Sequence, residues 1–162
     1  MATKGKVSGV IANMVTLKVD GPVAQNEICY IETGGDRLMS EVIKVSGEDV
    51  YVQVFESTRG LKIGAPADFS GHMLEVTLGP GMLSKNFDGL QNDLDKMTGV
   101  FLKRGEYTYP LDNDRLWRFE PIVKAGDKVC ASTWLGKVEE NFQPLKIMAP
   151  FTLEGEYTVK SI

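Results

Sequence analysis

The sequence has little of what most catalytic centres are built from. One histidine, His72, and two cysteines, Cys29 and Cys130, stand in 162 residues. A disulfide framework or a structural zinc site needs more ligands at closer spacing. Basic charge is also short. The 18 Lys and Arg against 22 Asp and Glu leave a formal net charge of −4. That excludes a general nucleic-acid binder, which works by neutralising phosphates. No run reaches the ~18 apolar residues of a membrane-spanning helix, so direct membrane insertion is not expected. The start, MATKGKVSGV, lacks an apolar signal core because Lys4, Gly5 and Lys6 interrupt it; cytosolic residence is the default. Phosphate-cradling loops of the GxxxxGKS or GxxxxGKT type are missing, as is a GxGxxG turn from strand to helix. Gly79-Pro80-Gly81 before Lys85 has the wrong spacing, and Pro80 removes an N–H donor. The chain by itself is not expected to hydrolyse a nucleotide.

What is present points to β-structure. Glycine is frequent, 17 of 162, and Val, Ile and Thr are abundant. Many turn residues with many β-branched residues predict a mainly β chain. Strands are expected in Val7–Val19, broken by Gly9 and Asn13, and in Glu27–Thr33, which ends at Gly34-Gly35-Asp36. Met39–Val45 and Val50–Glu56 flank a Ser46-Gly47-Glu48-Asp49 hairpin turn. Val50, Val52 and Val54 should face one way, Tyr51, Gln53 and Phe55 the other. Leu74–Leu78 reads as a further strand. Five or six short strands in 78 residues suggest a small closed barrel, since closure removes exposed edges.

The middle reads differently. Leu90, Leu94 and Met97 recur at i, i+4 and i+7, predicting one short helix over Asp88–Met97, stopped at Gly99. From Trp117 the chain turns β again. A turn is expected at Lys124–Val129, then strands at Trp134–Val138, Leu145–Met148 and Glu156–Val159, with a polar insertion at Glu139–Gln143. The sequence thus predicts a six-stranded barrel and a second β-rich module, joined by a segment with one helix. Leu61-Lys62-Ile63-Gly64 echoes Val123-Lys124-Ala125-Gly126, too faintly for a repeat.

The chemistry candidates have plain structural readings. His72, after Gly71, reads as a surface residue rather than a general base. Cys29 and Cys130 read as buried reduced thiols. Asp88, Asp93 and Asp95 sit where negative charge favours a helix start, and Asp112 and Asp114 mark a loop. Tyr107, Tyr109, Trp117 and Phe119 fit a core or a protein interface better than a base-stacking platform. The run from Val123 to Gly155 resembles the barrel-sandwich hybrid of biotinyl and lipoyl carriers. Lys146 in Leu-Lys-Ile-Met is a partial match, but its flanks suggest strand interior rather than an exposed tip.

Longer stretches resemble the catalytic A subunit of V-type (archaeal, bacterial or vacuolar) rotary ATPases. They run in order through Gly5-Lys6-Val7, Gly21-Pro22-Val23, Glu56-Ser57-Thr58, Gly60-Leu61-Lys62, Gly64 and Pro66. Next come Leu78-Gly79-Pro80-Gly81-Met82-Leu83, Phe87-Asp88-Gly89-Leu90-Gln91, Arg104-Gly105, Leu111-Asp112, Trp117, Phe119 and Pro121. Last are Gly126-Asp127-Lys128-Val129, Leu135-Gly136, Lys146-Ile147-Met148, Pro150 and Gly155-Glu156-Tyr157-Thr158-Val159. Ser40 stands where the family usually has Gly, and Asn92-Asp93 where it has Arg-Pro.

The resemblance implies three parts. Residues 1–70 would be the N-terminal barrel that joins neighbouring B subunits in the hexamer collar. Residues 71–109 would be a linker with the first strand of the nucleotide-binding domain. Residues 110–162 would be the A-specific bulge module facing the peripheral stalk. The phosphate loop and catalytic groups would lie beyond Ile162, so the length is read as that of an N-terminal piece. No catalytic, nucleotide or metal residue is then expected, and no cofactor here, with Mg-ATP bound elsewhere in the parent subunit. The parent would couple ATP hydrolysis or synthesis to H⁺ or Na⁺ transport, peripheral on a membrane. Gly79–Gln91 is expected to be mobile or unconventionally packed, and the barrel edge and bulge to expose apolar side chains. The alternatives are a stand-alone double-barrel binding module and a biotinyl- or lipoyl-like carrier.

Overall fold

The computed structural model describes residues 3–97 and 103–162. They form two compact units. Among them no helix is long and apolar enough to cross a membrane.

The first unit is a closed antiparallel barrel. Its strands are β1 (Lys4–Ile11), β2 (Met14–Val19), β3 (Glu27–Thr33), β4 (Asp36–Ser46), β5 (Asp49–Val54) and β6 (Pro66–Met73), in the order β1-β2-β5-β4-β3-β6. The long stretch 7–19 is a hairpin that turns at Ala12-Asn13, with a register slip between Val7 and Gly9. Alternation along β5 places Val50, Val52 and Val54 in the core, while Gln53 and Phe55 are exposed. Leu17, Ile31 and Leu38 are fully buried beside them. Each such side chain contributes ~1.5–3 kcal/mol of burial, so the barrel is held from within. Cys29 is buried as expected. The Ser40 hydroxyl donates to the Cys29 carbonyl at 2.9 Å and lies 2.9 Å from its Sγ.

Leu74–Leu78 is not a strand. Strand β6 pairs with β3, and that ladder runs out where Met73 faces Glu27 at the start of β3. The residues that follow pair with no described strand, and Leu74, Val76 and Leu78 stay exposed. Residues 103–107 return to the barrel unit.

The second unit comprises described residues 77–97 and 108–162. Strands β7 (Phe119–Pro121), β9 (Trp134–Glu140) and β10 (Gln143–Met148) form a sheet in the order β10-β9-β7. Strand β8 (Lys128–Val129) pairs with β11 (Tyr157–Thr158). The supposed polar insertion 139–143 is the closed end of the β9–β10 hairpin, with Glu140 opposite Gln143. The two echoing Lys-x-Gly runs share one turn. Ala65 N donates to Lys62 O and Asp127 N to Lys124 O, with Gly64 at φ 86° and Gly126 at φ 96°. A positive φ there needs glycine.

The expected helix over Asp88–Met97 is only a three-residue 3₁₀ turn, Leu94–Lys96. Asp88 explains the loss. Its Oδ1 accepts the N–H groups of Leu90 and Asn92, at 2.9 and 2.8 Å, so the side chain takes donors in a turn instead of a helix. The proposed stop, Gly99, lies outside the described residues. Residues 79–91 form no ladder of their own. They are held by Gln91, whose side-chain amide bonds both N and O of Thr77 at 2.7 Å, and by Glu140, which accepts Leu83 N at 2.9 Å. Cys130 is exposed, not buried. It sits at a turn where its N–H donates to Thr133 Oγ1 at 3.0 Å, and strand β8 ends one residue earlier.

Candidate functional site

On the barrel unit the family-motif residues shape turns and closure. Gly60 takes φ 81° in a turn where Leu61 N donates to Thr58 O. Gly64 N donates to Val7 O at 2.7 Å, and Pro66 opens β6 opposite Lys6 of β1. Arg104 and Gly105 lie on a short strap across the barrel. Arg104 pairs with Asp36 at 3.7 Å and donates to the Arg59 carbonyl. Gly105, at φ 70°, gives its N–H to Glu56 Oε1 at 3.0 Å. Tyr107 follows, and its hydroxyl accepts Met39 N at 2.9 Å. Burial, with Glu56 nearby, keeps that phenol protonated well above its ordinary range.

In the second unit the motif residues are also structural. A Cβ on Gly79 would lie 2.9 Å from Leu111, and one on Gly81, at φ 104°, 3.5 Å from the Trp117 ring. Arg115 stacks on that ring at 4.0 Å. Pro80 and Gly81 lead into a turn, not a helix N-terminus, so no phosphate cradle forms there. Asp88 and Gln91 make the contacts already given, and Gly89 is open. Pro121 of β7 pairs with Gly136 of β9. Asp127 accepts Lys124 N at 2.7 Å, Pro150 follows β10, and Gly155 takes φ 82° before β11. These residues are spread over turns and strand ends and converge on no point.

The remaining candidates behave as fold elements. His72 is exposed, its Nδ1 2.9 Å from the Met73 carbonyl. Asp93 is buried and caps the 3₁₀ turn through Asp95 N. It pairs with Lys85 at 2.8 Å, and that bond holds its carboxyl below the usual range. Asp112 accepts Asp114 N. Tyr107 packs on the barrel, while Tyr109, Trp117 and Phe119 belong to the other unit. Lys146 is mid-strand in β10, its Nζ 3.3 Å from the centre of the Trp134 ring. A carrier lysine needs an exposed tip; the tip here is Asn141-Phe142. Among the described residues no three His, Cys, Asp or Glu side chains group to hold a metal.

Three residues escaped the sequence reading. Glu27 is buried and accepts Ala24 N at 3.0 Å and Gly71 N at 2.7 Å. Glu140 is buried on Leu83 N. Both partners are far from obvious in sequence, so neither gave a signal. Phe142 projects from the β9–β10 turn, 91% exposed. Asn-Phe between two apolar runs was the available hint.

Residues 7–71 match the beta-barrel domain of the ATP synthase alpha/beta family, and residues 108–162 match the ATP synthase alpha/beta subunit barrel-sandwich domain. The V-type ATP synthase alpha chain of Borreliella afzelii strain PKo is 44% identical over 165 residues, covering 100% of this chain and 29% of the relative. That of Treponema denticola is 44% identical over 163 residues, covering 99% and 28%. That of Borrelia hermsii is 44% identical over 165 residues, covering 100% and 28%. The chain therefore spans less than a third of the length of these relatives. With a closed six-stranded barrel, a match to the barrel-sandwich domain later in the chain and identity along its whole length, this chain belongs to the V-type ATP synthase alpha-chain family, as the N-terminal region of its A subunit.

Proposed function

We propose that this region assembles the catalytic head of a V-type ATPase and performs no chemistry itself. Its parent complex couples ATP hydrolysis or synthesis to transport of H⁺ or Na⁺, and lies peripherally on the cytoplasmic face of a membrane. The barrel of residues 3–76 joins B subunits in a collar, and the second unit faces the peripheral stalk. Mg-ATP binds on segments of the parent subunit other than these. The observation that carries this reading is the order of two β units along a chain 44% identical throughout to V-type alpha chains. The spread of the motif residues over turns supports a scaffold role.

The test is binding of purified B subunit from the same complex to this chain, read by analytical ultracentrifugation. A defined hetero-oligomer is expected, and it should be lost on Gly64→Val, where φ 86° strains any branched residue. Absence of any association at 50-fold excess of B would refute the collar role. Calorimetry with Mg-ATP should give no heat of binding; stoichiometric micromolar binding would refute the placement of the nucleotide elsewhere.

A further inference from the structure

The β9–β10 hairpin closes through a two-residue turn, Asn141-Phe142, between paired Glu140 and Gln143. Both turn residues have positive φ, 49° and 63°. Such turns select Asn-Gly, because the second residue must enter the left-handed region. Asn141 fits that rule. Phe142 breaks it: a bulky aromatic is held in a conformation that glycine takes freely. Packing within the described residues returns little of that cost, since the ring is 91% exposed there. A side chain that strains the backbone without packing has another reason to be there.

The surroundings fix the tip. Glu140 accepts Leu83 N at 2.9 Å, and Asn141 Nδ2 donates to Ser84 Oγ at 3.1 Å. The ring thus stands on a supported turn, beside a cleft of about 280 Å³ that Pro144, Glu139, Glu120 and Lys137 help to line. Glu120 and Lys137 neutralise one another at 3.0 Å. Glu139 is exposed on the same rim, and Arg118 lies within electrostatic reach of Glu120, so the rim holds charges of both signs.

We propose that Phe142 is an anchor that inserts into an apolar notch on a protein partner, with Glu139 meeting a basic side chain at the rim of that notch. An exposed aromatic on a rigid support is how interface anchors are presented. A rim of mixed charge lacks the basic excess that anionic lipid and nucleic acid require. A second copy of the same tip would set one Glu139 carboxylate against another. The proposal rests on the stalk-facing reading given above, which supplies the partner for the test.

The experiment measures binding of purified peripheral-stalk subunits to this chain and to Phe142→Gly, Phe142→Trp and Glu139→Lys. Each variant is also unfolded in urea. Phe142→Gly should bind about tenfold more weakly or worse, yet be at least as stable as the parent because the turn is relieved. Phe142→Trp should bind within about threefold, and Glu139→Lys should weaken binding and flatten its salt dependence. Equal binding by Phe142→Gly would overturn the anchor while leaving the stalk-facing reading intact. So would a marked loss of stability in Phe142→Gly, which would make the ring structural. Failure of the parent chain to bind stalk subunits at all would instead remove the stalk-facing reading. A concentration-dependent dimer abolished by Phe142→Gly would replace the partner with a second copy and overturn the proposal.

Discussion

Replacing Gly136 by alanine should damage the second unit while leaving the barrel alone. Gly136 lies in β9 between Pro121 of β7 and Ile147 of β10. A methyl group there would run into the Phe119 ring and stand 2.6 Å from the Glu120 carbonyl oxygen. The ring is 38% exposed and can swing outward, at the loss of part of its burial, about 1 kcal/mol. The carbonyl is main chain in a paired strand, so relieving it means prying β7 from β9. Overpacking of this kind costs about 1–3 kcal/mol. Against it stands the ~0.4–1 kcal/mol that alanine gains over glycine through the unfolded chain. The net loss should be about 1–3.5 kcal/mol. Both tryptophans, Trp117 and Trp134, belong to the second unit, so their fluorescence in urea reports that unit alone. With a slope near ~1 kcal/mol/M for a small module, the midpoint should fall by about 1–3.5 M. The barrel transition, followed by far-UV circular dichroism, should not move. Adding Phe119→Ala should recover the ring clash but not the carbonyl clash, and a double-mutant cycle separates the two. An unchanged or raised midpoint in Gly136→Ala would refute the reasoning.

Three further outcomes follow from particular groups. At pH 8 in the native state a thiol reagent should label one cysteine, exposed Cys130; Cys29, buried and with its thiol pushed up to about 12 by that burial, should react only on unfolding, and two fast thiols would disprove its burial. Glu27→Ala leaves the N–H groups of Ala24 and Gly71 without their acceptor, so the barrel should lose about 1–3 kcal/mol in urea melts followed by circular dichroism, and a change below 0.3 kcal/mol would contradict that role. Asp93 has a carboxyl held below its ordinary value by Lys85, so its contribution is present above the unfolded pKa and is lost as pH falls through the folded one; the acid sensitivity of tryptophan-detected stability below about pH 4 should shrink in Asp93→Asn, and an identical pH profile would argue against the pair.

The barrel was readable because its cues are local. The Val50-Val52-Val54 alternation and the Gly34-Gly35 and Gly47 turns act within a few residues, and period-two patterning leaves a one-sided core with one register. The candidate site was less legible. Its motif residues could be named, but their work could not, since Arg104 acts on Asp36 and Glu140 on Leu83. The errors arose where a local pattern met a non-local decision. Leu74–Leu78 alternates like a strand, yet no strand among the described residues pairs with it. Leu90, Leu94 and Met97 have helical spacing, yet Asp88 diverts the donors a helix needs. Cys130 sits in an apolar run, but its strand ends one residue earlier.

The sequence by itself determined the β class, the strands and turns of the barrel, the absence of a nucleotide loop and the family resemblance. Each depends on residue type and spacing alone. Tertiary structure decided which carboxylates are buried, how residues 77–97 are held, and that Phe142 stands exposed on a turn of positive φ. Those depend on groups brought together from distant parts of the chain, where burial and hydrogen-bond geometry settle what local propensity leaves open.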